Sequence, residues 1–192
     1  MKRLASGLSV ALIALAGSGG FTPPEPARRS SPNILFILAD DLDAAELVYM
    51  PKVKALLADQ GVSFSNYFVS VSLCCPSRAT MLRGQYSHDS GVMTNGGGNG
   101  GFETAFKDGI EKSTVATLLQ GGGYRTALYG KYLNGYPATA PDAYVPPGWS
   151  DWASSVMGNP YAEYNYVLNE NGRRVRYRSQ PADYGTDVYV GK

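Results

Sequence analysis

Residues 33–39, Asn33-Ile34-Leu35-Phe36-Ile37-Leu38-Ala39, form an apolar run without alternation that stops abruptly at Asp40-Asp41. A half-buried strand alternates apolar and polar positions, and a surface helix repeats every three or four. A short continuous run instead predicts a strand covered on both faces, as in a parallel sheet with helices packed on it. The chain therefore reads as α/β, with a central largely parallel sheet flanked by helices. In open α/β sheets ligands sit beyond the carboxyl ends of the strands, so Asp40 and Asp41 stand where a cation could be held. A helix N-cap with a solvated neighbour is the equal alternative at this point.

The rest of the chain supplies further elements. Met50-Pro51 opens a helix with Val53, Leu56 and Leu57 on one face and Gly61 at its end, and residues 62–69 read as a strand. Ser113 or Thr114 caps a helix through Val115, Leu118 and Leu119 that ends at Gly121-Gly122-Gly123. Residues 124–129 are the next strand candidate, and they deliver Lys131 to the sheet's edge as either solvated surface or a point charge for an anion. Residues 141–152 read as a Pro- and aromatic-rich loop. Residues 164–168 and 173–178, joined through Asn169-Glu170-Asn171-Gly172, read as a β-hairpin at the periphery. Its Arg173, Arg174, Arg176 and Arg178 suit a polyanion or a basic solvated edge. Residues 186–190 read as the first turn of a helix.

Charge and the N-terminus bound the setting. Lys plus Arg number 17 against 16 Asp plus Glu, so no bulk field draws the chain to nucleic acid or to a membrane, and anion selectivity has to be local. Lys2 and Arg3 precede an apolar stretch over residues 4–16, with Ala14-Leu15-Ala16 suited to cleavage, so residues 1–16 read as a secretory signal peptide. The stretch is short of the roughly 20 residues that span a bilayer, so no stable membrane insertion is expected. Residues 17–31, rich in Gly, Pro and Ser, read as a disordered leader, and the protein is expected to be secreted or periplasmic.

Both cysteines of the chain are adjacent, in Leu73-Cys74-Cys75-Pro76-Ser77-Arg78. Neighbouring residues cannot meet the Cα spacing of an ordinary disulfide, so the pair is chemical rather than architectural. Pro76 suits a first helical position, Met81 and Leu82 an apolar side, and Gly84 a C-terminal cap. Cys74 would then lie in the loop just before a helix N-terminus, where amides favour negative charge. The following Gly96-Gly97-Gly98-Asn99-Gly100-Gly101 lacks the Lys-Ser/Thr ending of a phosphate cradle and reads as a surface loop near the site. His88, the single histidine, is either a general acid or base or a hydrogen-bonded loop residue.

Cys74-Cys75-Pro76-Ser77-Arg78 resembles the CxPSR signature of the type I sulfatases, here downstream of a run ending in Asp-Asp and upstream of Gly130-Lys131. Within that family, Gly130-Lys131-Tyr132-Leu133-Asn134, Pro147-Gly148-Trp149 and Tyr164-Asn165-Tyr166 are most similar to the N-acetylglucosamine-6-sulfatase branch. Many arylsulfatases have a histidine where Leu133 stands. The resemblance implies an alkaline-phosphatase-like fold and hydrolysis of a sulfate monoester, as in the 6-O-sulfate of N-acetylglucosamine in glycosaminoglycans. It implies that a formylglycine-generating enzyme oxidises Cys74 to formylglycine, whose hydrate is the nucleophile. It also implies that Asp40, Asp41 and the modified Cys74 hold Ca²⁺ or Mg²⁺, that Arg78 balances the hydrate's charge, that Lys131 grips a sulfate oxygen, and that Cys75 is a spacer.

The same resemblance implies that residues 32–192 are only the N-terminal portion of the catalytic domain. An Asp-Asn pair for the metal and further His and Lys residues would come later in family members, and a chain without them is expected to be inactive. The alternatives are a phosphatase or phosphonate hydrolase of the same superfamily, or a non-catalytic remnant that binds sulfated glycans.

Overall fold

The computed structural model describes residues 31–157 and 161–192. The expected signal peptide lies outside the described residues, as does all of the expected leader except Ser31. The chain divides into two units, Met1–Ala39 and Asp40–Lys192.

Of the first unit, residues 31–39 are described, and they form no strand. Ile34, Leu35, Phe36 and Ile37 are all more than half exposed. The expected buried strand is thus not found. A strand exists only when its amides and carbonyls meet a neighbour's, and no described residue pairs with this run.

The second unit begins with helical turns. Asp43 caps Ala44–Tyr49, its Oδ1 accepting from the Ala45 amide at 2.7 Å. Helix Pro51–Val53 runs into a π-helical turn at Lys54–Ala58, so the expected helix is present. Its predicted core face is not buried, since Val53, Leu56 and Leu57 stay exposed. The strand expected at 62–69 is absent as well, with Phe64 and Phe68 open to solvent.

Packing tightens from Cys74 onward. Helix Cys74–Arg83 ends at Gly84 in the left-handed conformation, φ 64°, where a glycine lacks the Cβ that would clash. Short helices follow at Ser87–Ser90, Gly101–Lys107 and Val115–Gly121. The last is capped by Thr114, whose side chain accepts from the Thr117 amide while Thr117 returns a bond to the Thr114 amide.

The described residues form four strands, β1 (Ala127–Tyr129), β2 (Asp151–Met157), β3 (Val167–Glu170) and β4 (Arg173–Arg176), hydrogen-bonded in the order β1-β2-β3-β4. β1 is parallel to β2, whereas β2 with β3 and β3 with β4 are antiparallel. The class is α/β, but the described sheet is mixed rather than largely parallel. The expected hairpin is one reason: Asn171 and Gly172 both have positive φ, 50° and 85°, as a two-residue type I′ turn requires, and so short a link permits only antiparallel pairing.

β2 is the centre of the sheet, yet it falls partly in the predicted loop and partly beyond it. Trp152, Ala153 and Ser154 are essentially inaccessible, so the strand is covered on both faces. Its small residues carry weak strand propensity and hid it from pattern reading. Trp152 packs edge-on against Tyr132 and Tyr136, with ring centroids 5.0 and 5.5 Å away. The cluster extends through Phe102 to Cys75, Ala79 and Leu82 of the Cys74–Arg83 helix. On the other side Ala153, Tyr166 and Leu168 meet Val188 and Tyr189 of helix Gly185–Val190. This core joins the helix that begins at Cys74 to the strand that ends beside Lys131.

Candidate active site

Cys74 is the first residue of its helix, with Leu73 as N-cap. The sequence reading placed it in the loop just before; the helix starts two residues earlier than Pro76 suggested. Proline needs only to lie within the first turn, where an amide proton has no intrahelical acceptor, and Pro76 at the third position satisfies this. The start is held by a side chain from the glycine-rich segment, Asn95 Oδ1 accepting from the Cys75 amide at 2.8 Å.

The two cysteines face different surroundings. Cys75 is inaccessible, and burial pushes its thiol up to about 11, so it remains a neutral core group. Cys74 is partly exposed, its Sγ 4.0 Å from the Tyr161 hydroxyl. Arg78, one helical turn on, lies on the same side. It is 8% exposed, donates from Nη1 to the Lys131 carbonyl at 2.6 Å, and brings Nη2 to 3.5 Å from Asp40 Oδ1.

Lys131 follows β1 and donates from Nζ to Asp40 Oδ2 at 2.7 Å and to the Tyr161 hydroxyl at 2.6 Å. Asp40 thus sits between two cations. Burial alone would raise its pKa, but the Lys131 hydrogen bond and charge, then the Arg78 charge, hold the carboxyl below its ordinary value. For Lys131 burial lowers the pKa, and the bonds to Asp40 and Tyr161 outweigh it, so the ammonium is held above its ordinary value.

Asp41 is exposed and adopts φ 54°, a left-handed conformation that aspartate tolerates better than most residues. One carboxylate oxygen of Asp40, one of Asp41 and Cys74 Sγ all lie within 4.8 Å of one another. Two carboxylates and a thiol sulfur at this spacing are a group of donors that could hold a metal ion.

The five residues to which the resemblance gives site roles, Asp40, Asp41, Cys74, Arg78 and Lys131, fall in one cluster. His88 is in a different situation: exposed, stacked on Tyr86 with ring centroids 5.7 Å apart, its Nε2 3.5 Å from Asp89. Tyr161 was missed. It lies among many tyrosines in an aromatic-rich segment, and nothing in its spacing separates it from Tyr164 or Tyr166. A cavity of about 460 Å³ opens beside Lys131 and Tyr161, lined also by Asn134, Pro137, Asp142 and Arg174.

Fold and site together define an α/β domain with a carboxylate, cysteine and cation cluster built at a helix N-terminus and the carboxyl end of a strand. The sulfatase family profile matches residues 32–177, and the chain belongs to the sulfatase family. It is 37% identical over 186 residues to N-acetylglucosamine-6-sulfatase of Homo sapiens, covering 92% of this chain and 33% of that protein. It is 37% identical over 166 residues to a putative extracellular sulfatase Sulf-1 homolog of Caenorhabditis elegans, covering 85% of this chain and 22% of that one. The Volvox carteri arylsulfatase is 32% identical over 187 residues, covering 95% of this chain and 28% of the relative. Among solved structures, one of a protein in complex with its substrate D-glucosamine-2-N,6-O-disulfate superposes with a TM-score of 0.52 at 26% identity, covering 74% of this chain and 25% of that chain. The chain spans a third or less of the length of each of these proteins. No helix among the described residues is long and apolar enough to cross a membrane.

Proposed function

We propose that this chain carries the nucleophile end of a catalytic centre that hydrolyses sulfate monoesters, with the 6-O-sulfate of N-acetylglucosamine in sulfated glycans as the substrate class. The observation that carries this reading is the approach of Asp40, Asp41 and Cys74 to within 4.8 Å, with the Arg78 and Lys131 cations against Asp40. The substrate class is supported by the N-acetylglucosamine-6-sulfatase relatives.

Cys74 would first be converted by a formylglycine-generating enzyme: its Cβ is oxidised by two electrons at the expense of that enzyme's oxidant, and the sulfur leaves as sulfide. The aldehyde hydrates to a gem-diol, and one hydroxyl oxygen attacks sulfur as the alcohol departs with a proton. The second hydroxyl then gives up its proton, the bond from carbon to the sulfate oxygen breaks, sulfate leaves and the aldehyde returns. A serine at this position would keep its sulfate ester.

Arg78, fixed by the Lys131 carbonyl, offsets the charge of the hydrate. Lys131 presents an ammonium where negative charge grows on the sulfate oxygens. Asp40, Asp41 and the hydrate at position 74 would hold a Ca²⁺ or Mg²⁺ ion. When bound, that ion would lower the charge on the sulfate and favour the ionised hydrate. A Ca²⁺ ion takes about 6 to 8 oxygens, more than the described ligands offer, and we expect residues 1–192 alone to bind the ester without turning it over. Export through the N-terminal segment, as the extracellular relatives suggest, completes the proposal.

Coexpression with a formylglycine-generating enzyme tests it. The peptide carrying Cys74 should become lighter by the difference between a thiol-bearing CH2SH and a CHO group; an unchanged mass overturns the mechanism. A sulfate monoester should bind more tightly than the matching phosphate monoester, and Lys131→Ala should weaken it at least about tenfold, the loss of one charged contact. Preference for phosphate would instead assign the chain to phosphoryl chemistry.

A further inference from the structure

Tyr161 belongs to the cluster around Asp40, yet the reaction steps above give it no task. It sits in the connection between β2 and β3, and its hydroxyl lies 2.6 Å from Lys131 Nζ and 4.0 Å from Cys74 Sγ. The ring is engaged as well, with Nζ 4.7 Å from its centroid, inside the roughly 6 Å over which a ring face attracts a cation.

Asp40 and Tyr161 hold the same ammonium in chemically different ways. Asp40 Oδ2, 2.7 Å from Nζ, is a charged acceptor, and a lysine paired only with it would present little net charge to an anion. Tyr161 is a neutral acceptor. Its hydroxyl takes one N–H without offsetting the positive charge, and its ring face adds to the hold without offsetting it either. An ammonium has three N–H groups. Asp40 takes one and Tyr161 another, and Cys74 is the further group against Nζ. The third N–H is thereby turned toward position 74, where sulfate is attacked in the reading above. The flexible stem of a lysine imposes no such direction, so the contacts have to supply it.

We propose that Tyr161 is a positioning residue of this centre: its hydroxyl draws Lys131 out of a closed ion pair with Asp40 and fixes the ammonium on the side of position 74, where it meets the sulfate. This rests on Lys131 marking the sulfate end, as proposed above. It gives a role to a side chain outside the three motifs, contributed by the connection between β2 and β3.

A double-mutant cycle on binding of N-acetylglucosamine-6-sulfate to the full chain tests it. Tyr161→Phe removes only the hydroxyl and keeps the ring over Nζ. Tyr161 is 53% exposed, so the urea midpoint should stay where it is. Tyr161→Phe alone should weaken the sulfate ester about tenfold, the loss of one hydrogen bond to a charged group. In a chain that already carries Lys131→Ala it should change binding by less than about twofold, because no ammonium is left to direct. The NMR resonance of the Lys131 ammonium should shift in Tyr161→Phe. If Tyr161→Phe leaves binding unchanged while Lys131→Ala weakens it, the positioning role is overturned and the sulfate end stands. If Tyr161→Phe weakens binding equally with and without Lys131→Ala, the hydroxyl acts independently of the lysine, and positioning is overturned as well. If Lys131→Ala itself has no effect, the sulfate end is wrong and the role of Tyr161 falls with it.

Discussion

Residues 44–73 and residues 74–157 belong to one unit and both contain helical turns, yet they treat their apolar side chains in opposite ways. In the first stretch Leu57 is 51% exposed, Phe64 74% and Phe68 85%, whereas in the second Phe102 and Trp152 are 0% exposed. The residue types are similar. What differs is opposition. Trp152 lies on a strand with a neighbour on each side and rings from Tyr132, Tyr136 and Trp149 around it. Phe64 and Phe68 have no such layer among the described residues. Burying a large apolar side chain is worth about 1.5–3 kcal/mol, and the first stretch leaves that term unrealised. The candidate site straddles this contrast: Cys74, Arg78 and Lys131 are anchored in the packed part, while Asp40 and Asp41 precede the open one.

The sharpest way to break the comparison is to remove the centre of the packed part. Trp152→Ala should destabilise the fold by about 3–5 kcal/mol, the usual cost of a large core truncation, measured by urea denaturation. A loss under about 1 kcal/mol would mean that the cluster is no tighter than the open stretch.

A buried carboxylate gives a second handle. Glu111 is 3% exposed and accepts from Tyr132 Oη at 2.7 Å and Tyr144 Oη at 3.2 Å. Burial raises its pKa, and the two tyrosine bonds only partly oppose that. Because the folded value lies above the unfolded one, the contribution of the protonated form is fully present below the ordinary glutamate range. It is lost as pH rises through the raised folded value. The wild-type urea midpoint should fall across that window, with a slope of at most about 1.4 kcal/mol per pH unit for one proton, and Glu111→Gln should flatten it. An identical slope in the variant would refute the assignment.

Smaller effects probe the boundary between the regions. Asn95→Ala removes the acceptor for the Cys75 amide at the start of the site helix and should cost about 1 kcal/mol. Phe64→Ser, in the open stretch, should change stability by no more than about 0.5 kcal/mol, as exposed substitutions usually do. A loss of several kcal/mol in the same denaturation measurement would show that Phe64 is covered in solution, and the contrast would then collapse.

Local chemistry was legible from residue order. Gly84 ends the site helix because its φ is positive, Asn171-Gly172 closes the hairpin because both residues tolerate positive φ, and Thr114 starts its helix by supplying an acceptor. The grouping of Asp40, Asp41, Cys74, Arg78 and Lys131 was expected only through the resemblance of three short motifs to the sulfatases; the residues alone left the Asp pair and Lys131 open. β2 was not legible, because alanine and serine at a doubly covered position look like loop residues. Tyr161 and the Asp142–Arg174 pair were not either, since each contact joins positions at least 30 apart along the chain.

The sequence by itself determined the α/β class and the turns and caps, and through its resemblance to the sulfatases it named the groups that meet around Cys74. The turns and caps rest on backbone preferences within a few residues, and the site grouping rests on the family's motifs. Tertiary structure alone decided which apolar runs became strands, which cysteine was buried and which accessible, and what lines the space beside Lys131. A strand needs a partner's hydrogen bonds and a core needs an opposing face, so neither can be read from the run that would use it.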